Sequence, residues 1–253
     1  MLKHRVIPCL LLKNGGLVKT KKFQDPKYVG DPINVIRIFN DKEVDELIVL
    51  DIEASKAQRE PNYELIEQFA GECFMPLCYG GGISTVEQAK RLFTLGVEKV
   101  CIQTWALADL QLVRDIADRY GSQSVVVSVD IKKNLFASHR LYASSTGKML
   151  DLPWQDFLNK AVAAGAGEIM LTAVDRDGTL AGMDLALIHA ASQSCPIPLI
   201  AAGGAATLSD LRAAVDAGAS AIAAGAMFIF HGPHRAVLIT YPQYNDLVSL
   251  LDK

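Results

Sequence analysis

Met75–Thr104, MPLCYGGGISTVEQAKRLFTLGVEKVCIQT, returns further along the chain as Ile197–Ala226, IPLIAAGGAATLSDLRAAVDAGASAIAAGA. Pro76 matches Pro198, Gly81 and Gly82 match Gly203 and Gly204, Thr85 matches Thr207, and Gly96 matches Gly218, all at one offset. Each copy reads as a short apolar strand, a glycine turn, an amphipathic helix, a second glycine turn and another apolar strand. A shared offset over that many turn positions marks a βαβ unit used twice.

Outward from this repeat the chain keeps alternating strand and helix. Arg5–Leu12 is an apolar run with the character of a strand buried on both faces. After the Asn14-Gly15-Gly16 turn, Leu17-Val18-Lys19 begins a second short extended piece, and a polar connection runs from Lys19 to Pro32; loops of that kind inside a compact domain are usually functional. Asp31-Pro32 opens a helix, as cap and first helical residue. Strands follow at 46–51, 124–130 and 168–172, helices at 62–73, 108–120, 154–164 and 185–192, a hairpin at 134–148, and a helix ends the tail. Glu46 and Glu168 share the repeat offset, so the duplication extends beyond the opening stretch. With no composition break or linker, residues 1–253 are expected to form one closed (β/α)8 barrel built from two half-barrels, with a doubly wound open sheet as the rival.

The bulk properties narrow the function classes. Half of the 253 residues are apolar and the net charge is −3. No apolar run is long enough for a membrane span, the start MLKHRVIPCLLLKNGG does not read as a signal peptide, and no basic cluster points to nucleic acid. Five cysteines, an odd number without metal-type pairing, fit a reduced cytoplasmic protein. No metal and no cofactor are expected.

In a barrel of this kind chemistry gathers at the C-terminal ends of the strands. Gly80-Gly81-Gly82 and Gly203-Gly204 stand there, next to Gln103-Thr104 and Gly225-Ala226. Glycine turns beside helix starts present backbone N–H groups to anions, so two phosphate sites related by the pseudo-two-fold axis are the reading favoured over plain tight turns. Asp51, Asp130, Asp175 and Asp177 end or follow strands and are acid–base candidates. Capping is the competing role, evenly balanced for Asp51 and Asp175. At the opposite end Arg5, Glu46, Lys99 and Glu168 begin or immediately precede four strands. They form either an ordinary surface charge cluster or a gate over the barrel axis. Cys9, Cys78 and Cys101 fall inside strands, as core residues or as the lining of a narrow path.

RVIPCLLLKNGGLVK, LDIEAS, YGGGIST, SQSVVVSVDIK, GAGEIMLTAVDRDGT and AAGGA together make the chain resemble HisF, the cyclase subunit of imidazole glycerol phosphate synthase, over almost its whole length. That resemblance implies a (β/α)8 barrel that takes ammonia from a HisH-like glutaminase at its N-terminal face. The ammonia would be delivered to a bis-phosphorylated ribulosyl-carboxamide. By the same resemblance Arg5, Glu46, Lys99 and Glu168 are gate residues, Asp130 is a catalytic aspartate, and Lys19, Asp51, Thr172 and Asp177 support the active site. Gly82 and Thr104 hold one phosphate, and Gly178, Gly204, Gly225 and Ala226 the other.

Four positions depart from the family pattern. Leu11 stands where the family has its other catalytic aspartate, a loss of proton transfer worth roughly a hundredfold or more. Gln103 replaces an asparagine, Ala202 a serine, and Ala226 another serine. FQDPKYVGDPINVIRIFNDKEVDEL and HGPHRAVLITYP look like the HisF subgroup associated with sugar amidation for bacterial surface polysaccharides. There a glutaminase and a HisF-like barrel supply ammonia to a separate ATP-using amidotransferase. The expected function is therefore ammonia supply for sugar amidation with cyclase activity reduced or lost. The alternatives are a working histidine-pathway cyclase and a non-catalytic scaffold that activates a glutaminase.

Overall fold

The computed structural model describes residues 4–232 and 234–251. The first three residues of the stretch read for a leader, and Pro233, Asp252 and Lys253 of the tail, lie outside them. Eight strands form the frame: β1 (Arg5–Lys13), β2 (Leu47–Asp51), β3 (Leu77–Gly80), β4 (Lys99–Ile102), β5 (Val125–Lys133), β6 (Glu168–Ala173), β7 (Leu199–Ala202) and β8 (Ala221–Ala224). Each pairs in parallel with the next, and β8 pairs with β1 through Arg5–Pro8 and Ala221–Ala224, so the sheet closes. A ring of helices surrounds it: α1 (Pro32–Asp41), α2 (Tyr63–Glu72), α3 (Val86–Thr94), α4 (Gln111–Tyr120), α5 (Trp154–Ala163), α6 (Leu185–Ser192), α7 (Leu208–Asp216) and α8 (Tyr244–Leu251). None of the described helices is long and apolar enough to cross a membrane.

The repeat is visible in the caps. Thr85 and Gln88 close a capping box on α3, and Thr207 and Asp210 close the matching one on α7. Each satisfies two helix-start N–H groups reciprocally. Gly96 and Gly218 take φ of 101° and 104° just after the matched helices, a conformation that favours glycine. Asp31 accepts from Asn34 N–H at 3.0 Å, so α1 starts as its Asp-Pro pair dictates.

The strands are apolar on both faces because two cores use them. One set of side chains packs outward against the helices, as Val6, Leu10, Val49, Val127 and Leu171 do. The other set fills the barrel: Ile7, Cys9, Ile48, Cys78, Cys101, Val126, Met170, Ile200, Ala202, Ala221 and Ala223. The three strand cysteines are thus interior side chains, and all five cysteines are free thiols.

Three connections differ from the sequence expectation. The polar stretch after Lys19 is a β-hairpin. β1 turns at Asn14-Gly15 into Gly16–Lys21, which pairs antiparallel with Gln24–Gly30. Its tip, Lys22-Phe23, holds both residues in the left-handed region (φ 55° and 62°), the geometry of a tight two-residue hairpin turn. The expected helix over 108–120 is α4, which begins at Gln111, and a separate short helix, Thr104–Ala108, precedes it. Asp109 breaks them apart by accepting the Gln111 N–H at 2.8 Å, which starts the second. The expected hairpin at 134–148 is a longer ribbon: β5 itself pairs with His139–Ala143, which pairs in turn with Lys148–Met149.

Candidate functional site

The C-terminal mouth of the barrel opens into a chamber of about 430 Å3. Its floor is Cys9, Cys101, Met170 and Ala223, and its walls carry the strand-end residues. Lys19, Asp51, Asp130, Thr172 and Asp177 all line it, as do Gly82, Thr104, Gly178, Gly204, Gly225 and Ala226. The other three departures, Leu11, Gln103 and Ala202, line it too. Asp175 does not: its Oδ2 accepts the Lys133 N–H at 2.6 Å, tying the β6 turn to β5.

Asp130 is buried at the end of β5 beside Thr172 of β6. Its Oδ1 accepts from Ser128 Oγ at 3.1 Å. Burial pushes its pKa up to about 6, against the pull of the donors Gln103, Ser128 and Thr172. A carboxyl poised there exchanges a proton near neutral pH. Leu11 projects into the same chamber from β1 and packs on the interior cluster with Leu50. The chamber therefore has one strand-end carboxyl of this kind on β5 and a hydrocarbon side chain on β1.

Lys19 is buried, and its ammonium donates to the Cys9 carbonyl. Burial lowers its pKa, with Asp177 among the groups opposing the shift. Asp177 is held by Thr20 Oγ1 at 3.3 Å, and burial raises its pKa. Gly225 makes room for this arrangement, since a Cβ there would stand 2.2 Å from Lys19 Nζ. Asp51 serves a turn at the chamber edge: its Oδ1 accepts from the N–H groups of Glu53 and Ala54, both at 3.0 Å.

Glycine is needed at both matched turns for close backbone approach. A Cβ on Gly82 would lie 2.4 Å from the Arg59 carbonyl, and one on Gly204 2.3 Å from that of Gly182. The short helices Thr104–Ala108 and Ala226–Ile229 start at the same chamber without a side-chain cap, so their first N–H groups have no capping acceptor. The tight-turn role is thus met at Gly82 and Gly204.

At the other end of the barrel the four charges meet. Arg5 is bonded to Glu46 and lies 3.1 Å from Glu168, while Lys99 lies 2.9 Å from Glu46 and 3.0 Å from Glu168. Cation and anion alternate around a closed ring, with the Glu46 side chain only 2% exposed. Burial works against the Lys99 ammonium, and the two carboxylates outweigh it, holding its pKa above the ordinary lysine value. Glu168 Oε2 is buried without a hydrogen-bond partner. Between the ring and the chamber floor stand interior side chains that the chamber does not reach, among them Ile7, Ile48, Cys78, Val126 and Ile200.

Residues 5–234 match the model of the family described as histidine biosynthesis protein. The chain belongs to this family. It is 55% identical to a Pseudomonas aeruginosa protein provisionally named imidazole glycerol phosphate synthase subunit hisF2, over 98% of this chain and 99% of that one. A Leptospira interrogans protein with the provisional name imidazole glycerol phosphate synthase subunit HisF is 44% identical over 99% of both chains. The imidazole glycerol phosphate synthase subunit HisF of Streptococcus sanguinis is 42% identical over 81% of both. The chain is thus a HisF-type barrel.

Two clusters of this HisF-type barrel carried no sequence signal. Lys133 and His139 both reach Asp184 Oδ2, at 2.7 and 3.1 Å, fixing the ribbon after β5 to the start of α6. These contacts and the Leu187 N–H hold the Asp184 pKa down at about 2, against its burial. Gln103 binds the middle of the same ribbon. Charged residues scattered through polar segments with no shared spacing gave nothing to connect them.

Proposed function

We propose that this HisF-family barrel receives glutamine-derived ammonia at the ring of Arg5, Glu46, Lys99 and Glu168 and passes it along the axis to the chamber. From there the ammonia serves sugar amidation for surface polysaccharide, in concert with a HisH-like glutaminase and an ATP-dependent amidotransferase. The observation that carries the reading is the pairing of an intact charged ring with Leu11 in a chamber that keeps Asp130. Cyclisation of the bis-phosphorylated substrate needs proton transfer on both sides, and a leucine side chain transfers none. Glu168 Oε2 supplies an unpaired acceptor in the ring, suited to an N–H donor. The interior above it is apolar, which suits neutral ammonia over ammonium. Phosphate groups on the ligand are taken by the helix starts at Thr104 and Ala226 and the turns at Gly82, Gly178, Gly204 and Gly225.

The test gives purified protein the bis-phosphorylated ribulosyl-carboxamide with ammonium salt. No imidazole glycerol phosphate is expected, and turnover at the rate of a two-aspartate cyclase overturns the reading. With a glutaminase partner present, Arg5→Ala is expected to alter ammonia delivery; delivery unchanged in that variant favours a scaffold. A second reading, residual cyclase activity, draws on Asp130, which lines the chamber with its pKa raised to about 6 by burial. Leu11→Asp raising turnover from a measurable baseline is its signature.

A further inference from the structure

Gln103 follows β4 at the N-cap position of the helix Thr104–Ala108, yet its side chain makes no cap bond. It turns to the ribbon after β5 instead. Its Oε1 accepts from Ser144 N–H at 3.1 Å and from Ser144 Oγ–H at 2.5 Å. Its Nε2 faces the Tyr142 carbonyl at 3.4 Å. The same amide favours the ionised form of Asp130, and both side chains line the chamber. One side chain thus stands between the chamber's buried carboxyl and the ribbon above it.

What lies over that ribbon segment gives the bond its consequence. Tyr142 pairs with Phe23, ring centroids 6.3 Å apart, and both rings line the chamber. Phe23 arrives from the other side of the barrel, on the tip of the hairpin that extends β1. That tip is itself fixed, because Lys22 N–H donates to the Asp177 carbonyl at 2.9 Å. The base of the ribbon is fixed by Lys133 and His139 on Asp184. Gln103 holds its middle, the part that carries Tyr142 to the mouth.

We propose that Gln103 is a positioning residue: it clasps the Tyr142–Ser144 segment down against Phe23 and so sets how far the chamber is roofed. Roofing decides which acceptors reach Asp130, admitting small molecules that pass beneath the two rings and turning away bulkier ones. Side-chain length is the determinant. Asparagine is shorter by one methylene, about 1.5 Å, which breaks contacts at 2.5 and 3.1 Å. Glutamate keeps the length and both Ser144 bonds while giving up the donors.

The test needs no substrate. Trp105 is half exposed and lines the chamber, whereas Trp154 is buried, so acrylamide quenching of tryptophan fluorescence reports the mouth. Hydrogen exchange over residues 139–149 reports the ribbon. Gln103→Asn is expected to raise ribbon exchange about tenfold, the equivalent of one to two ordinary hydrogen bonds, and to increase quenching, with barrel-strand exchange unchanged. Gln103→Glu keeps both Ser144 bonds but loses the donor to the Tyr142 carbonyl, so its ribbon exchange is expected to fall between wild type and Gln103→Asn. Ser144→Ala is expected to loosen the ribbon less than Gln103→Asn does, and the double variant no more than Gln103→Asn alone. Ribbon exchange and quenching in Gln103→Asn equal to wild type overturn the proposal, as do strictly additive effects of the two substitutions. Should Gln103→Asn fail to fold, the comparison of Ser144→Ala with wild type decides: unchanged exchange overturns it, faster exchange supports it.

Discussion

Lys99 Nζ lies 2.9 and 3.0 Å from the two carboxylate oxygens of Glu46. Glu46 also holds Arg5, so one buried carboxylate serves two cations. Glu46→Gln leaves both short of a counter-charge in a site that is mostly shielded from water. The expected loss of stability is about 3 kcal/mol, read as a lower midpoint with an unchanged slope in urea unfolding. A loss below about 0.5 kcal/mol would place the ring among ordinary surface pairs.

Asp130 yields a stability profile. Its ordinary pKa is 3.8 and burial raises it to about 6. Between those values the folded chain keeps a proton that the unfolded chain has released, so this group's contribution to stability falls as pH rises through the window. Asp130→Asn removes the cost of an ionised buried carboxyl. It is expected to be more stable than wild type by about 3 kcal/mol at pH 7.5, with the gain vanishing below pH 4. Denaturant midpoints across that range check it.

Gly204→Ala and Gly225→Ala separate folding from chamber chemistry. At Gly204, φ is 103° and the added Cβ meets the Gly182 backbone, so a cost of about 2 kcal/mol or more is expected. At Gly225 the first obstacle is the side-chain end of Lys19 at 2.2 Å, with the Cys9 carbonyl oxygen at 3.0 Å. That variant is expected to fold within about 1 kcal/mol of wild type while detaching Lys19 from the Cys9 carbonyl. The lysine resonance, followed by pH titration in NMR, is expected to move towards the ordinary value.

Asp184 acts in the opposite pH sense to Asp130. Its pKa is held down at about 2, so the unfolded chain takes up a proton first as pH falls. The stabilisation is present above the ordinary aspartate pKa and is lost as pH drops towards 2. Asp184→Asn is expected to flatten that acid limb and to speed hydrogen exchange at the base of the ribbon, where Lys133 and His139 lose their anchor.

The barrel was legible because its repeat is carried by turn chemistry. Thr85 and Thr207, Gly96 and Gly218 hold the same jobs at matching places, and a cap or a positive φ restricts residue choice severely. The second strand of the hairpin after β1 was not legible, because Gln24–Tyr28 is exposed throughout and has no buried face to create alternation. The hairpin tip uses lysine and phenylalanine where glycine or asparagine would have signalled the turn. At the chamber, the strand-end position marked Asp130, and the family resemblance marked Leu11. The union of Gln103 with Ser144 joins two polar residues far apart in sequence, and nothing in either segment's composition points to the other.

The pairing of Arg5–Pro8 with Ala221–Ala224 also bears on the order of assembly. β1 has β2 as a nearby mate on one edge and the strand Gly16–Lys21 beside the end of the other, but the Arg5–Pro8 part of that second edge stays bare until Ala221–Ala224 has been made. Joining such distant segments costs loop entropy before it returns any contacts. Ring closure is therefore a late event on the ribosome, and a nascent chain stalled before Ala221 carries an open β1 edge, a template for mispairing with its neighbours.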